Sequence, residues 1–232
     1  MITIFGANGG TGREAVRLAL AAEHEVRAVT RRAAQFPFHV EGLTVFGADV
    51  TDAAAGARAI EGADAVLSCV GVPFGRAPIS VYSRAATTIV AGMVRHGVRR
   101  LAVVSSTAVD PHPHAEGGFV LNRVMQPLIA RTIGKTTYTD MRAMERIVGG
   151  SGLSWTVIRS AGLFDAAEVS DYRVSGEVPL DGVFTSRRDL ADLLVRQATD
   201  ERFSGRTVEI TTSQGTPTLL QVIRREAFGR GA

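Results

Sequence analysis

The chain has 232 residues, of which 45% are hydrophobic and 21% charged, so it can bury the core of one α/β domain and does not have a disordered composition. No apolar run is long enough to cross a bilayer, and the N-terminus enters a glycine-rich turn without the basic region of a signal peptide. The net charge is +3 with basic residues scattered among acids, which argues against nucleic-acid binding, and the single cysteine, Cys69, excludes an internal disulfide and fits the cytoplasm, where we expect the protein.

Strand-like and helix-like stretches alternate along the first half of the chain. An amphipathic helix follows the glycine-rich turn at residues 6–12, and Asp52 can cap an alanine-rich helix before the fourth strand. A long helix at residues 79–96 ends at Gly97, a typical helix stop. The predicted strands of this half cover residues 2–5, 25–30, 43–47, 63–70 and 100–105.

The second half is less regular between residues 110 and 140. A loop rich in proline and glycine is followed there by a predicted helical piece at residues 119–133. The alternation predicts a Rossmann-type α/β domain with a doubly wound parallel sheet and a small C-terminal substrate-side extension, formed mainly by residues 110–140 and 160–186. The later predicted elements are a helix at 140–150, a strand at 154–159, a loop-rich segment to 185, a helix at 187–199 and a strand at 207–210.

The turn after the first strand has glycines at the spacing that dinucleotide-binding turns require. Gly6 permits a sharp exit from the strand, Gly9 lets a pyrophosphate approach the backbone, and Gly12 allows close packing of the helix on the sheet. The N–H groups of the first helical turn then face the phosphates. An ordinary tight turn is the alternative interpretation. The other residues expected to line this site are Asn8, Gly10 and Thr11.

The end of the second strand indicates which dinucleotide is preferred. NAD-binding proteins usually have an acidic residue there, whereas this chain has Thr30, Arg31 and Arg32. A guanidinium group can bind a 2′-phosphate through paired N–H donors, so we expect NADP(H) to be preferred over NAD(H). Arg13 in the first helical turn could reach the same phosphate. A solvated arginine pair at the strand end is the alternative.

Several motifs together resemble one known family. The chain is similar to the atypical short-chain dehydrogenase/reductases, and within them to the NAD(P)H-binding group that includes NmrA-like proteins and the flavin reductase/biliverdin reductase B type. The segments at residues 138–159 and 187–191 are similar to that group's later helix, sixth strand and C-terminal helix. The motifs are the turn Gly6 to Gly12 with Arg13, then Thr30-Arg31-Arg32, Ala48-Asp49-Val50, Cys69-Val70-Gly71 and Ser105-Ser106-Thr107.

The resemblance also implies roles for residues at the ends of the strands. Thr107 would take the place of the family's catalytic hydroxyl. Cys69 is not expected to be a nucleophile, because no histidine lies near it in the sequence. By this resemblance, adenine would be contacted by Asp49 and Val50, and the ribose and nicotinamide side would be lined by Cys69, Val70 and Gly71. The cofactor would also be contacted at the carboxyl edge of the sheet by Ser105 and Ser106.

The sequence departs from the superfamily in the tyrosine-lysine pair that catalyses carbonyl reduction. The only lysine is Lys135, and Arg131 stands four residues before it, so a Tyr-x-x-x-Lys pair does not exist. Tyr138 is followed by Arg142 at that spacing, and the arginine could stabilise a phenolate or could simply be its neighbour on a helix face. Tyr138 and Thr107 are therefore the candidate catalytic residues, and no metal site is predicted.

The absence of this pair favours a reaction that needs no proton donor from the protein. Hydride transfer from NADPH to a flavin, a quinone or a similar planar acceptor needs alignment of two rings, and water can deliver the proton. His112 and His114 on the loop after the fifth strand could donate protons to the substrate, or could be ordinary loop residues. Candidate walls of an apolar acceptor pocket, each of which could equally be core, are Phe74, Phe119, Trp155 and Phe164.

Two other functions remain open at this stage. A non-catalytic NADP(H) sensor that binds a partner protein, as NmrA-like relatives imply, would also lack the tyrosine-lysine pair. A nucleotide-sugar epimerase is less favoured, because such enzymes normally keep the pair and have a larger C-terminal lobe.

Overall fold

The strands of a computed structural model form one large sheet and one small one. The structure describes residues 1–73, 75, 77–111 and 134–217. The predicted helical piece at 119–133 lies outside these residues, as do Phe74, His112, His114 and Phe119. The strands are β1 (Ile2–Phe5), β2 (Val26–Thr30), β3 (Leu43–Gly47), β4 (Ala65–Ser68), β5 (Arg100–Ser106), β6 (Ser154–Ser160), β7 (Gly162–Phe164), β8 (Arg173–Ser175), β9 (Phe184–Ser186) and β10 (Arg206–Thr211).

The large sheet has the strand order β3-β2-β1-β4-β5-β6-β10-β8. All of its pairs are parallel except β10 with β8, which is antiparallel. The last residues of the central strands lie side by side, with Phe5 opposite both Val29 and Ser68. This arrangement confirms the predicted doubly wound Rossmann-type fold, and it brings the carboxyl ends of β1, β2, β4 and β5 to one edge.

Helices cover both faces of this sheet because its strands are apolar on both sides. One core joins α1 and α5 to side chains such as Ile4 and Leu67, and the other joins α2, α3 and α4 to side chains such as Phe5 and Val66. Among the described residues, no helix is long and apolar enough to span a bilayer. The helices are α1 (Gly10–Ala21), α2 (Ala53–Ile60), α3 (Val81–His96), α4 (Lys135–Gly149) and α5 (Arg187–Arg196).

Two features differ from the predicted elements. Helix α4 begins at Lys135 and not near residue 140, because Thr137 and Tyr138 are buried against the core, and this burial outweighs the weak helix propensity of threonine. The segment predicted to be loop-rich up to residue 185 contains three short strands, β7 to β9. Each has three residues, which is too short to show an alternating pattern in the sequence.

The first turn of α3 obtains its cap from a distant helix. Ser80 stands at the N-cap position but its side chain makes no capping hydrogen bond. A carboxylate oxygen of Asp140, a buried residue of α4, accepts hydrogen bonds from the backbone N–H groups of Tyr82 at 2.8 Å and Ser83 at 3.4 Å. Asp140 therefore provides the acceptor that a local cap normally provides, and it ties α3 to α4.

We expect Asp140→Ala to lower the free energy of unfolding by about 1–3 kcal/mol, because it leaves buried N–H groups without an acceptor. Ser80→Ala is the matched control, and we expect it to change stability by less than about 0.5 kcal/mol because no cap is lost. Urea denaturation followed by circular dichroism measures both values. Equal losses in the two variants would contradict the assignment of the cap to Asp140.

Candidate functional site

The glycine turn between β1 and α1 is packed so tightly that two of its glycines cannot be replaced. Gly6 has a φ of 71°, and a Cβ atom there would lie 2.5 Å from the carbonyl oxygen of Cys69. A Cβ atom on Gly12 would lie 2.3 Å from the carbonyl oxygen of Gly6. Among the described residues, a Cβ atom on Gly9 would meet only that same oxygen, at 3.3 Å, so Gly9 faces the more open side of the turn. The turn thus leaves room for a ligand beside the N-terminus of α1, where an anion is favoured.

Hydrogen bonds between two polar side chains stabilise this turn. Both Nε and Nη2 of Arg13 donate to Oδ1 of Asn8, at 3.0 and 2.8 Å. From its place in the sequence Arg13 could reach a 2′-phosphate or lie at the surface, and in the structure its guanidinium group binds Asn8 within the turn. Thr11 is buried, and Gly10 begins α1.

The end of β2 forms the second wall of the site. Arg31 and Arg32 follow the last strand residue, Thr30, and both are exposed. Asp49 lies beyond the end of the neighbouring strand β3, where hydrogen bonds from the N–H and hydroxyl groups of Thr51 lower its pKa, and the charge of Arg31 lowers it further. The edge therefore places one anionic and two cationic groups around the expected adenosine position, next to the partly buried Val50.

The residues after β4 form the third wall. The N–H of Cys69 donates to the carbonyl oxygen of Phe5 at 2.9 Å, so this segment continues alongside the glycine turn. Burial raises the pKa of the Cys69 thiol to about 12, which keeps it protonated at neutral pH and agrees with its expected lack of nucleophilic character. Val70 and Gly71 follow, and a Cβ atom on Gly71 would meet no atom within 4 Å among the residues that the structure describes.

The hydroxyl groups of the two serines at the end of β5 form hydrogen bonds with other groups of the protein. The hydroxyl of Ser105, which is buried, donates to a carboxylate oxygen of Glu145 at 2.6 Å, and Arg159 donates to both oxygens of that carboxylate. Ser106 accepts from the N–H of Ala108 and caps the short turn at Thr107–Val109. In the structure these hydrogen bonds hold the sheet edge, and the cofactor contact that the resemblance implies for both serines stays a prediction.

Glu145 has a structural role at this edge that sequence reasoning missed. Its carboxylate joins β5 to β6 through Ser105 and Arg159, which are 40 and 14 residues away in the sequence. Asp110 lies 3.5 Å from another nitrogen of Arg159. From the sequence, a glutamate in an amphipathic helix is expected to face solvent. Only the structure shows that the Glu145 side chain is largely buried.

The candidate catalytic residues Thr107 and Tyr138 are both buried on this side of the sheet. Burial raises the pKa of Tyr138, and the nearby Tyr82 raises it further, so its phenol remains neutral at physiological pH. Arg142 donates through Nε to the carbonyl oxygen of Val109 at 2.8 Å. The arginine thus anchors α4 to the turn after β5, and the pKa of Tyr138 is shifted opposite to the direction that a phenolate would require.

The described aromatic candidates for a pocket wall lie in different environments. Trp155 is partly buried and packs on the core between the sheet and α4. Phe164 at the end of β7 is buried and meets Phe184 of β9 edge-on, with ring centroids 6.4 Å apart. Of these two described candidates, Phe164 belongs to the expected substrate-side extension.

Comparisons with known proteins identify relatives of this arrangement. A family described as NAD(P)H-binding matches residues 6–201. The fold is similar to that of a short-chain dehydrogenase/reductase from Veillonella parvula in complex with NADP, at 18% identity and a TM-score of 0.73, covering 92% of this chain and 94% of that one. It is also similar to an anaerobillin reductase, ChuY, from Escherichia coli, at 21% identity and a TM-score of 0.70, covering 94% of this chain and 99% of that one. The family match agrees with the expected NAD(P)H-binding group, and the two solved structures share the fold of this chain.

We expect Gly9→Ala to weaken dinucleotide binding at least tenfold, since the methyl group would project from the open side of the turn towards the pyrophosphate. Its melting temperature should stay within about 3 °C of the wild type, because its Cβ meets only one protein oxygen. Gly12→Ala, the comparison variant, should lose at least about 2 kcal/mol of stability through a backbone clash. Calorimetric titration and thermal unfolding measure the two effects, and unchanged binding by Gly9→Ala would refute the site.

Proposed function

The chain belongs to the family described as NAD(P)H-binding, and on that premise we propose that it is an NADPH-dependent oxidoreductase acting on a flavin, a quinone or a similar planar acceptor. The bound nicotinamide supplies the hydride in such a reaction, and the protein binds, orients and shields it. The glycine turn, the open backbone at Gly71 and the end of β2 are the groups that would hold this cofactor. Gly6 and Gly12 lack room for side chains, as a close-fitting phosphate turn requires.

The preference for NADPH over NADH rests on the charge at the end of β2. Two exposed guanidinium groups, Arg31 and Arg32, stand where NAD-binding proteins usually have a carboxylate. A guanidinium pair attracts a 2′-phosphate, while the ribose hydroxyls of NADH offer it no charge. The complex of the Veillonella protein with NADP is consistent with this preference.

The observation that carries the choice of a planar acceptor is the environment of Tyr138. Carbonyl reduction near neutral pH uses an acid whose pKa is lowered by a neighbouring cation. Here burial raises the pKa of Tyr138, Arg142 is bound to the Val109 carbonyl, and Lys135 is exposed at the first residue of α4. Reduction of a flavin or a quinone does not depend on such an acid, because solvent can protonate the reduced ring.

The acceptor side of the site would be formed by the segment that contains β7 and β9. These two strands pair in parallel, and Phe164 and Phe184 pack edge-on between them. Phe184 is partly exposed beside the buried Phe164, so its ring is available to a flat ligand at the carboxyl edge, where ligands of such folds bind. The structurally similar Escherichia coli protein ChuY is an anaerobillin reductase, which is consistent with a reductase function for this chain.

We expect the double variant Arg31→Ala/Arg32→Ala to weaken NADPH binding by between about tenfold and a hundredfold, as the loss of one or two charge-assisted hydrogen bonds predicts. NADH binding should change by less than about threefold. Fluorescence titration of both reduced cofactors gives the two dissociation constants. Arg17→Ala, which removes an exposed arginine of α1, controls for total charge; equal losses for NADPH and NADH would contradict the 2′-phosphate assignment.

We expect the purified protein to oxidise NADPH with FMN or with at least one of a small panel of quinones, and Tyr138→Phe to retain this activity within about tenfold. A tyrosine that acts as the proton donor would instead account for about a hundredfold to ten-thousandfold of the rate. Loss of NADPH absorbance measures turnover, and Gly9→Ala serves as the comparison variant with weakened cofactor binding.

The same experiment decides between this function and the sensor alternative. Tight NADPH binding without turnover by any acceptor would contradict the reductase and favour an NADP(H) sensor. That function would then be tested by comparing the affinities for reduced and oxidised cofactor in the presence of candidate partner proteins.

A further inference from the structure

An arginine of α5 reaches the start of α1, where the phosphate end of the site is expected. Arg187 is the first residue of α5, which packs beside α1. Its side chain crosses the start of α1, so a Cβ atom on Gly10 would lie 2.8 Å from both Cδ and Nε of Arg187. The side chain therefore passes directly over the first residue of the helix whose N-terminus is the expected pyrophosphate position.

This crossing explains a glycine that the turn motif does not require. Gly10 lies between the spaced glycines Gly9 and Gly12, and its φ is not positive. A side chain at this position would have to displace Arg187, so glycine here leaves room for the arginine across the start of α1. The first residue of α1 thus has no side chain at the point where Arg187 lies across the helix.

The backbone that carries Arg187 is firmly held. Ser186 caps α5 by accepting from the N–H of Asp189, and Asp189 is fully buried. The carboxylate of Asp189 in turn accepts from the N–H and hydroxyl of Ser170 and from the hydroxyl of Thr212. These bonds join three segments of the chain and fix the position from which the Arg187 side chain extends, which lowers the entropic cost of binding a ligand.

The guanidinium group itself is held more weakly. Its Nη1 atom donates to Asp165 at 2.7 Å, and the Asp165 side chain is 57% exposed. Exposed ion pairs of this kind contribute little to stability, so the arginine can exchange one anion for another. Arg188, the next residue, faces Glu14 of α1 at 3.7 Å, so the two neighbouring arginines have separate partners.

We propose that Arg187 binds the pyrophosphate of the dinucleotide, and that Asp165 holds the guanidinium group in place until the cofactor arrives. The proposal rests on the dinucleotide binding in the proposed function but is independent of the acceptor. It assigns two different tasks to the arginines of the site. Arg31 and Arg32 distinguish NADPH from NADH, whereas Arg187 contacts a group that both cofactors share.

The test measures the dissociation constants of NADPH, NADH and 2′-AMP for the wild type, Arg187→Gln and the double variant Arg31→Ala/Arg32→Ala. We expect Arg187→Gln to weaken NADPH and NADH about tenfold or more by similar factors, and to leave 2′-AMP, which has no pyrophosphate, within about twofold. Arg196→Gln is the matched control: it removes the same charge from the opposite, exposed end of α5 and should bind all three ligands as the wild type does.

Three results would overturn the proposal. Arg187→Gln could bind both dinucleotides within about threefold of the wild type, or its loss could be confined to NADPH, or 2′-AMP could be weakened equally. If Arg187→Gln melts well below the wild type, Arg187→Lys keeps the charge and serves instead, with a smaller loss for the same two ligands.

The variant Asp165→Asn tests whether Arg187 binds the ligand or only maintains the structure of the site. Because it frees Arg187 and removes a negative charge near the pyrophosphate, we expect it to strengthen binding of both dinucleotides by a few-fold. Weakening as large as in Arg187→Gln would show that the ion pair itself maintains the site and would overturn the proposal. Loss of turnover with normal dinucleotide binding would refute only the proposed reductase, whereas a wild type that binds no dinucleotide would refute both.

Discussion

The close approach of the Cys69 carbonyl to the glycine turn is the constraint on which the rest of the site depends. It lies where the sheet changes direction, since β2 and β3 follow on one side of β1, and β4 and β5 on the other. A side chain on Gly6 or Gly12 would separate the turn from β4 or lift α1 from the sheet. The crevice in which dinucleotides bind in such folds exists here because these two positions carry no side chain.

Three buried or nearly buried carboxylates hold the elements around this crevice. Asp140 joins α3 to α4, Glu145 joins α4 to β5 and β6, and Asp189 joins α5 to the segments at Ser170 and Thr212. Each accepts several hydrogen bonds, which offsets the cost of burying its charge. The loops at the carboxyl edge therefore start from positions that are fixed on both faces of the sheet.

Much of the fold followed from the sequence because its signals are local. The glycine spacing, the apolar run of β5, the cap at Asp52 and the stop at Gly97 depend on neighbouring residues, and the structure shows each of them. The strands β7, β8 and β9 escaped prediction because three residues show no period.

The partners of the polar site residues could not be predicted in the same way. From the sequence, Arg13 could place a guanidinium group near the cofactor. Only the structure shows that this group donates hydrogen bonds to Asn8. Arg142 binds a backbone carbonyl 33 residues away, and Ser105 a carboxylate 40 residues away. Chain spacing indicates which residues share a helix face or a sheet edge, but it does not indicate which of several donors takes a given acceptor.

The remote cap of α3 has a consequence for the order of folding. Asp140 is 58 residues from Tyr82, so the cap of α3 forms only when α4 docks against it. Tyr82 also accepts a hydrogen bond from the N–H of Val72, next to the wall formed by Val70 and Gly71. The shape of this wall is therefore coupled through Tyr82 and Asp140 to the packing of α3 against α4.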